Sequence, residues 1–181
     1  MHSTTQASTP ARPTDQAPIT WPRSINHVGL TVPDLEMAID WYSKVLGFRL
    51  VKSPAVMEAR VGHIGEIAAD LFGPEFGKVR AAWLSASNGT ALELFSFVKP
   101  AYEAPDNSYA YWRGGFNHIC VTDPDIEGLA QAIEANGGKR QSKIWTFFDG
   151  KPYRVCYCLD PFGFLIEIMT HDVAQIFANQ D

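Results

Sequence analysis

Several features that mark membrane, secreted or nucleic-acid-binding proteins are missing from this chain of 181 residues. No apolar run approaches the roughly 20 residues that cross a bilayer, and the N-terminal stretch lacks the apolar centre of a secretory signal. The 15 Lys and Arg against 20 Asp and Glu include no basic cluster that would contact phosphates. We therefore expect a cytoplasmic protein that binds neither membranes nor nucleic acids.

Cysteine is scarce and odd in number, which argues against a disulfide framework. Cys120, Cys156 and Cys158 lie in apolar segments and are expected to be reduced thiols. Residues 1–20 are rich in Ser, Thr, Pro and Gln, with almost no large apolar side chains. That composition predicts a flexible N-terminal tail, and the remaining length suffices for one compact core.

The chain contains an internal repeat. The segment INHVGLTVPDLEMAIDWYSKVLGF, which begins at Ile25, aligns without gaps with FNHICVTDPDIEGLAQAIEANGGK, which begins at Phe116. The identical pairs are Asn26 and Asn117, His27 and His118, Thr31 and Thr122, Pro33 and Pro124, Asp34 and Asp125, Glu36 and Glu127, and Gly47 and Gly138. Because so many identities share one register, we infer two similar modules.

Each copy predicts a strand, a helix and about three further antiparallel strands. Apolar residues recur at helical spacing after Asp34 and after Asp125, and glycines follow both segments. Asn88-Gly89 and Asp160-Pro161-Phe162-Gly163 are turn sequences that precede the apolar segments TALELFSF and FLIEIM. The sequence therefore predicts an α+β fold of two βαβββ modules.

We expect the first module to span residues 21–98, a linker to span 99–115 and the second module to span 116–181, all within one compact domain. An insertion from about Pro54 to Lys78 lengthens the first copy. The insertion and the linker could each cover a pocket as a lid or pack as a surface segment. Both interpretations stay open at this point.

Four polar residues occupy matching positions in apolar strands. His27 and His118 lie in the first strand of each copy, and Glu93 and Glu167 lie in the last. A single histidine in a strand is usually structural, and a single buried glutamate usually pairs with Arg or a backbone amide. The repetition favours a metal ion, because one cation satisfies all four side chains together.

The paired NHVGLTV and NHICVTD strands, the Pro-Asp helix starts and the DPFGFLIEI ending resemble the vicinal oxygen chelate superfamily. That superfamily includes glyoxalase I, methylmalonyl-CoA epimerase, bleomycin and fosfomycin resistance proteins and extradiol dioxygenases. The resemblance covers about Ile25 to Thr170. It implies sheets that curl around a cleft with one divalent metal, whose ligand positions fall on His27, Glu93, His118 and Glu167.

Two imidazoles and two carboxylates accept Zn, Ni, Co, Mn or Fe(II), so the ligand set does not select the ion. Four protein ligands on a six-coordinate ion leave two positions for vicinal oxygens of a small-molecule substrate. This favours isomerase, lyase or epimerase chemistry through a metal-stabilised enediolate, in which Glu167, or second Glu93, moves the proton.

Two other functions compete with this interpretation. An Fe(II) extradiol-type dioxygenase needs three open metal positions, and the extra carboxylate at Glu93 argues against it. A non-catalytic protein that sequesters a small molecule is the second alternative, although such members of the superfamily generally lack the metal ligands. The retained ligand set therefore favours an enzyme over a binding protein.

The substrate pocket is less specified than the metal site. Aromatic residues and cations are frequent near the second module, and Arg113, Arg154 and Tyr157 are the candidates for substrate contact. Thr31 stands where the resemblance to glyoxalase I predicts Arg, and FSFVKP lacks the Asn predicted to contact glutathione. We therefore do not expect glutathione as cosubstrate.

Two modules can pair within one chain or across a dimer, and we expect a homodimer.

Overall fold

A computed structural model of the chain describes residues 21–104, 112 and 114–178. The predicted tail over residues 1–20 and part of the predicted linker lie outside the described residues. The first module contains β1 (His27–Thr31), α1 (Leu35–Leu46), β2 (Arg49–Glu58), α2 (Gly62–Phe72), β3 (Lys78–Ser85) and β4 (Ala91–Lys99). The second contains β5 (His118–Thr122), α3 (Ile126–Ala135), β6 (Lys139–Arg140), β7 (Trp145–Thr146), β8 (Arg154–Leu159), β9 (Leu165–Met169) and α4 (Val173–Phe177). The two-module α+β fold is therefore confirmed.

The repeated Pro-Asp sequences begin the helices as predicted. The Asp34 carboxylate accepts a hydrogen bond from the Met37 backbone N–H at 2.8 Å, and Asp125 accepts one from Gly128 at 3.0 Å. Each bond satisfies an N–H that has no partner within the helix. Gly47 ends α1 with φ of 68°, a left-handed conformation that glycine adopts without steric cost.

None of the described helices is long and apolar enough to cross a bilayer, and the cytoplasmic location stays a prediction.

Each module forms its own sheet. The strand order is β1-β4-β3-β2 in the first sheet and β5-β9-β8-β6 in the second, where β7 also pairs with β8. The last three strands of the first module are antiparallel, as predicted, whereas β1 and β5 join the last strands in parallel. The parallel pair follows from the path of the chain, because α1 and α3 return it before the antiparallel strands begin.

One hydrophobic core joins the two modules. The aliphatic faces of both sheets pack on α1 and α3, and buried residues from both modules form one large cluster, while Ala68, Phe76 and Val79 form a second, smaller one in the first module. Trp41 Nε1 on α1 donates to the Asn136 carbonyl at 3.0 Å, and the Tyr42 hydroxyl donates to Asp160 Oδ2 at 2.6 Å. In the described part of the chain, α1 and α3 contact each other, and no Cα atom in a strand of one sheet lies within 8 Å of one in a strand of the other.

The insertion in the first module packs against the sheet. Its first residues continue β2, and Gly62–Phe72 forms α2. The Phe72 ring lies 5.6 Å from both Phe95 and Phe97, measured between ring centroids. Since Phe95 and Phe97 alternate with the core residues Leu92 and Leu94 on β4, α2 covers part of the opposite, outer face of the sheet.

Candidate metal and substrate site

The first His–Glu pair lies on the outer face of the first sheet. Gly29 on β1 is directly beside Glu93 on β4, and His27 shares that face because it lies two residues before Gly29. His27 Nε2 is 3.2 Å from Glu93 Oε2. The parallel pairing of β1 with β4 therefore brings together two residues that are far apart in the sequence.

The second module repeats this arrangement. Cys120 is directly beside Glu167, and His118 Nε2 is 3.0 Å from Glu167 Oε2. The Glu167 side chain is 9% exposed, against 16% for Glu93 in the first pair. Because β9 is buried along its whole length, its carboxylate must have a polar or charged partner.

An asparagine orients each histidine of the two pairs. Asn26 Oδ1 lies 2.8 Å from His27 Nδ1, and Asn117 Oδ1 lies 2.5 Å from His118 Nδ1. An amide oxygen only accepts hydrogen bonds, so Nδ1 carries the hydrogen in this orientation. In a neutral ring the Nε2 lone pair then faces the neighbouring carboxylate oxygen. A cation between these two acceptors removes the repulsion, so the donor set fits a divalent metal.

The structure does not bring the two pairs together. Across residues 21–104, 112 and 114–178, no three His, Cys, Asp or Glu side chains cluster closely enough to hold a metal ion. The reason is the position of α1 and α3, which cover the inner faces of the sheets and leave each pair on an outer face. Each module therefore presents half of the predicted ligand set, which we call a half-site. The complete four-residue site stays a prediction.

An aromatic residue stands beside the carboxylate in both half-sites. Trp83 is directly beside Glu93 on the neighbouring strand, and Tyr157 is directly beside Glu167. The Tyr157 ring centroid lies 5.6 Å from that of His118. Tyr157 was predicted as a pocket residue, but Trp83 was missed. Trp83 and Tyr157 each lie ten residues before the glutamate of their module, and this equal spacing is the sequence signal that identifies Trp83.

Cys120 supplies a neutral neighbour for the second pair. Burial, and then the charge of Glu167, raises the pKa of the Cys120 thiol to about 12. The thiol therefore stays protonated at neutral pH and can donate a hydrogen bond to the carboxylate. All three cysteines are free thiols, as expected.

The structure describes one of the two predicted arginines, and that one lies away from the half-sites. Arg113 lies outside the described residues. Arg154 pairs with Glu127 on α3 and lines a cavity of about 480 Å³ with Thr122 and His171. Thr122 ends the five-residue strand that His118 begins, so the cavity and the histidine are roughly 13 Å apart along that strand. Substrate contact by either arginine stays a prediction.

The chain is similar to several known proteins. The family model described as the glyoxalase/bleomycin resistance protein/dioxygenase superfamily matches residues 24–168, a range that includes both His–Glu pairs. A lactoylglutathione lyase from Pseudomonas putida is 29% identical over 150 residues, which cover 80% of this chain and 83% of the relative. A 2-epi-5-epi-valiolone epimerase from an Actinomyces species is 26% identical over 162 residues, with coverage of 87% and 84%.

The fold also matches a solved structure. A glyoxalase family protein from Bacillus cereus aligns with a TM-score of 0.70 and 22% sequence identity, over 85% of this chain and 97% of the other. This likeness supports the fold of the chain, and the sequence matches support its family.

Proposed function

Because the chain belongs to the glyoxalase/bleomycin resistance protein/dioxygenase superfamily, we propose that it is a divalent-metal-dependent isomerase, lyase or epimerase. Its substrate is a small molecule with vicinal oxygens. The observation that carries the proposal is the pair of matching half-sites, in which an asparagine directs the Nε2 atom of a histidine toward a glutamate. The relatives with lyase and epimerase names support the reaction class.

The proposed ligands are His27, Glu93, His118 and Glu167, which would hold one Zn, Ni, Co, Mn or Fe(II) ion. When bound, the ion polarises the substrate oxygens and so acidifies the neighbouring C–H bond. Glu167 is the first candidate to move that proton and Glu93 the second. The smaller exposure of the Glu167 carboxylate supports this order, because packing holds a less exposed side chain in one position beside the bound substrate.

The complete site is proposed to form between two copies of the chain. The half-sites lie on the outer faces of two sheets whose inner faces are covered by α1 and α3. A homodimer in which the first module of one copy faces the second module of the other supplies all four ligands, twice. Exposed apolar side chains on α2, beside the first half-site, support such an interface, because Ile64, Ile67 and Leu71 are 56%, 41% and 73% exposed.

Metal analysis of complementary variants tests this assembly. The variant His27→Ala/Glu93→Gln removes the first half-site, and His118→Ala/Glu167→Gln removes the second. Each alone is expected to lose its metal, because every site of its homodimer lacks one half. Co-expression of the two variants is expected to restore about one metal ion per four chains. Random pairing makes about half of the dimers mixed, and each mixed dimer combines the two intact half-sites into one complete site. Plasma mass spectrometry measures the metal content.

His63→Ala is the matched control, because this histidine lies on α2 outside both pairs, and it is expected to keep full metal content. A co-expressed mixture without metal would show that the site is not shared between chains. Full metal content in both double variants would refute the four-ligand site.

The reaction class is tested by proton exchange. Metal-loaded protein in D₂O is expected to exchange the C–H hydrogen beside the carbonyl of hydroxy-ketone and hydroxyacid substrates, as followed by NMR. We expect the hemithioacetal of glutathione and methylglyoxal to be a poorer substrate, because Thr31 occupies the position of the expected Arg. Oxygen uptake with Fe(II) and a catechol, without any proton exchange, would favour the dioxygenase instead.

A further inference from the structure

We propose that Lys52 binds a carboxylate of the substrate, so that the substrate is an acid that carries vicinal oxygens at its other end. This inference rests on the proposed function and specifies its substrate class. It follows from a row of residues that crosses the first sheet at the level of Glu93.

The row joins all four strands of the sheet. Lys52 on β2 is beside Trp83 on β3, Trp83 is beside Glu93 on β4, and Glu93 is beside Gly29 on β1. Directly paired residues point to the same face of a sheet, and neighbouring strands lie about 4.8 Å apart. The Cα atoms of Lys52 and Glu93 are therefore roughly 10 Å apart. This separation leaves room for both side chains and for a small diacid between them.

The Lys52 ammonium group lies near the ring of its neighbour in the row. Its Nζ lies 5.9 Å from the centroid of the Trp83 ring, a distance at which the ring attracts a cation. Trp83 is half-buried and lies between the lysine and the glutamate. The contact therefore places the positive charge beside Trp83, the residue that lies between Lys52 and Glu93 in the row.

No described carboxylate holds the Lys52 ammonium in an ion pair, whereas Lys78 and Arg80 on the neighbouring strand β3 are each paired. Lys78 lies 3.1 Å from Glu58, and Arg80 forms a paired contact with Glu36. Within residues 21–104, 112 and 114–178, no carboxylate lies within 4.0 Å of the Lys52 ammonium. In a chain of net charge −5, an unpaired cation beside a proposed metal site is available for an anionic ligand.

The aromatic wall next to the row limits where such a ligand can lie. Phe95 is on the next outward-facing position of β4 after Glu93, and it packs against Phe72 of α2. One side of the row is therefore bounded by apolar rings. A short extended acid would lie along the row, with its vicinal oxygens at the half-site and its carboxylate at Lys52.

Two matched chelators test the proposal by binding. Glutaric acid monohydroxamate and pentanohydroxamate share a hydroxamate and a chain of five carbons, and only the first ends in a carboxylate. Calorimetry on the nickel-loaded protein is expected to give a dissociation constant three- to tenfold lower for the acid, in line with one charge-assisted contact. Lys52→Met keeps an apolar stem over Trp83 and is expected to abolish this preference, whereas Lys52→Arg keeps it.

Lys44→Gln is the control for net charge, because Lys44 is exposed on α1 and its loss should leave the preference unchanged. Equal affinity of wild type for both chelators, or a preference that survives Lys52→Met, would overturn the inference and leave the proposed function intact. If neither chelator binds in a metal-dependent way, the proposed function fails and the inference fails with it.

Discussion

Asn26 and Asn117 determine which nitrogen of each neighbouring histidine is available to a ligand. Each amide oxygen engages Nδ1, so Nε2 is the atom that faces the glutamate. In metal sites, such outer contacts fix the ring orientation and raise the basicity of the ligating nitrogen. The asparagines are therefore part of the candidate site even though they do not face the glutamates.

We predict that Asn117→Ala weakens metal binding by about 10- to 100-fold, because the His118 ring loses its orientation and its preferred tautomer. Asn117→Asp keeps an acceptor oxygen and should bind metal close to the wild-type level. Competition with a chromophoric chelator measures both affinities. Wild-type affinity in Asn117→Ala would show that the asparagine contact is structural only.

At the level of residues, the repeat gave the sequence prediction a second copy for comparison. It grouped His27 and Glu93 with His118 and Glu167, and the structure places each histidine within 3.2 Å of the glutamate of its own module, while their role as metal ligands stays a prediction. Lys52 had no such counterpart, and the pairing of β2 with β3 shifts on both sides of it, between Leu50 and Lys52 and between Lys52 and Ala55. Simple alternation along the strand therefore cannot predict which face Lys52 occupies.

At the level of elements, α2 gives the first module a wall that the second lacks within its described residues. The helix approaches the end of β2 so closely that a Cβ added at Gly65 would lie 2.2 Å from the Glu58 carbonyl oxygen. Only glycine permits this approach, because any side chain would collide with backbone atoms.

We predict that Gly65→Ala displaces α2 and lowers the free energy of unfolding by about 1–3 kcal/mol, the usual cost of overpacking. The contacts of Phe72 with Phe95 and Phe97 should loosen at the same time. Urea unfolding measures the stability, and Glu66→Ala is the control because Glu66 is exposed on the same helix. An unchanged midpoint for Gly65→Ala would contradict the close approach.

The elements themselves were largely predictable, because helix starts, turns and apolar spacing are local properties of the sequence. The position of the insertion could not be predicted, since the sequence was compatible with a lid over a pocket and with a packed surface segment. The counterpart of β2 in the second module was also less clear, because the chain there divides into β6 and β7, each of two residues. Strands this short carry too little pattern to be recognised.

For the whole molecule, a buried hydrogen bond between two side chains reinforces the hydrophobic contact between the modules. The Tyr42 hydroxyl on α1 donates to Asp160, whose other oxygen accepts from the Phe162 and Phe164 backbone amides. Burial raises the pKa of Asp160 above its ordinary value, while the Tyr42 bond opposes that rise. Protonation of Asp160 is therefore favoured in the folded state, and that stabilisation is lost as pH rises through the folded pKa.

We predict that Tyr42→Phe lowers the free energy of unfolding by about 1–3 kcal/mol at pH 7, because it leaves a buried carboxylate oxygen without its donor. The same change raises the pKa of Asp160 further, so the loss should shrink as pH falls toward the ordinary Asp value. Urea unfolding across this pH range measures both effects. Tyr153→Phe is the control, and an equal loss at every pH would contradict the role of Asp160.

The arrangement of the modules was the part that the sequence could not specify. Both modules have one apolar face and one face with a His–Glu pair, and either pair of faces could in principle meet within a chain. The contact between α1 and α3 resolves this choice through Trp41 and Tyr42. These two aromatic residues have Ala132 and Ile133 as their counterparts in the repeat, so the repeat did not indicate their role.

The layered order of the molecule places the two half-sites on separate surfaces that face away from a shared core. In the assembly that we propose, each chain has two ends that join to other copies, because the first half-site of one copy pairs with the second half-site of another. When both ends meet the same partner, assembly closes at two chains and all half-sites are used. If the angle between the ends does not permit closure, the same contacts extend into an open polymer. The packing of α1 against α3 sets that angle, so in the proposed assembly the core would determine the number of chains as well as the stability of each chain.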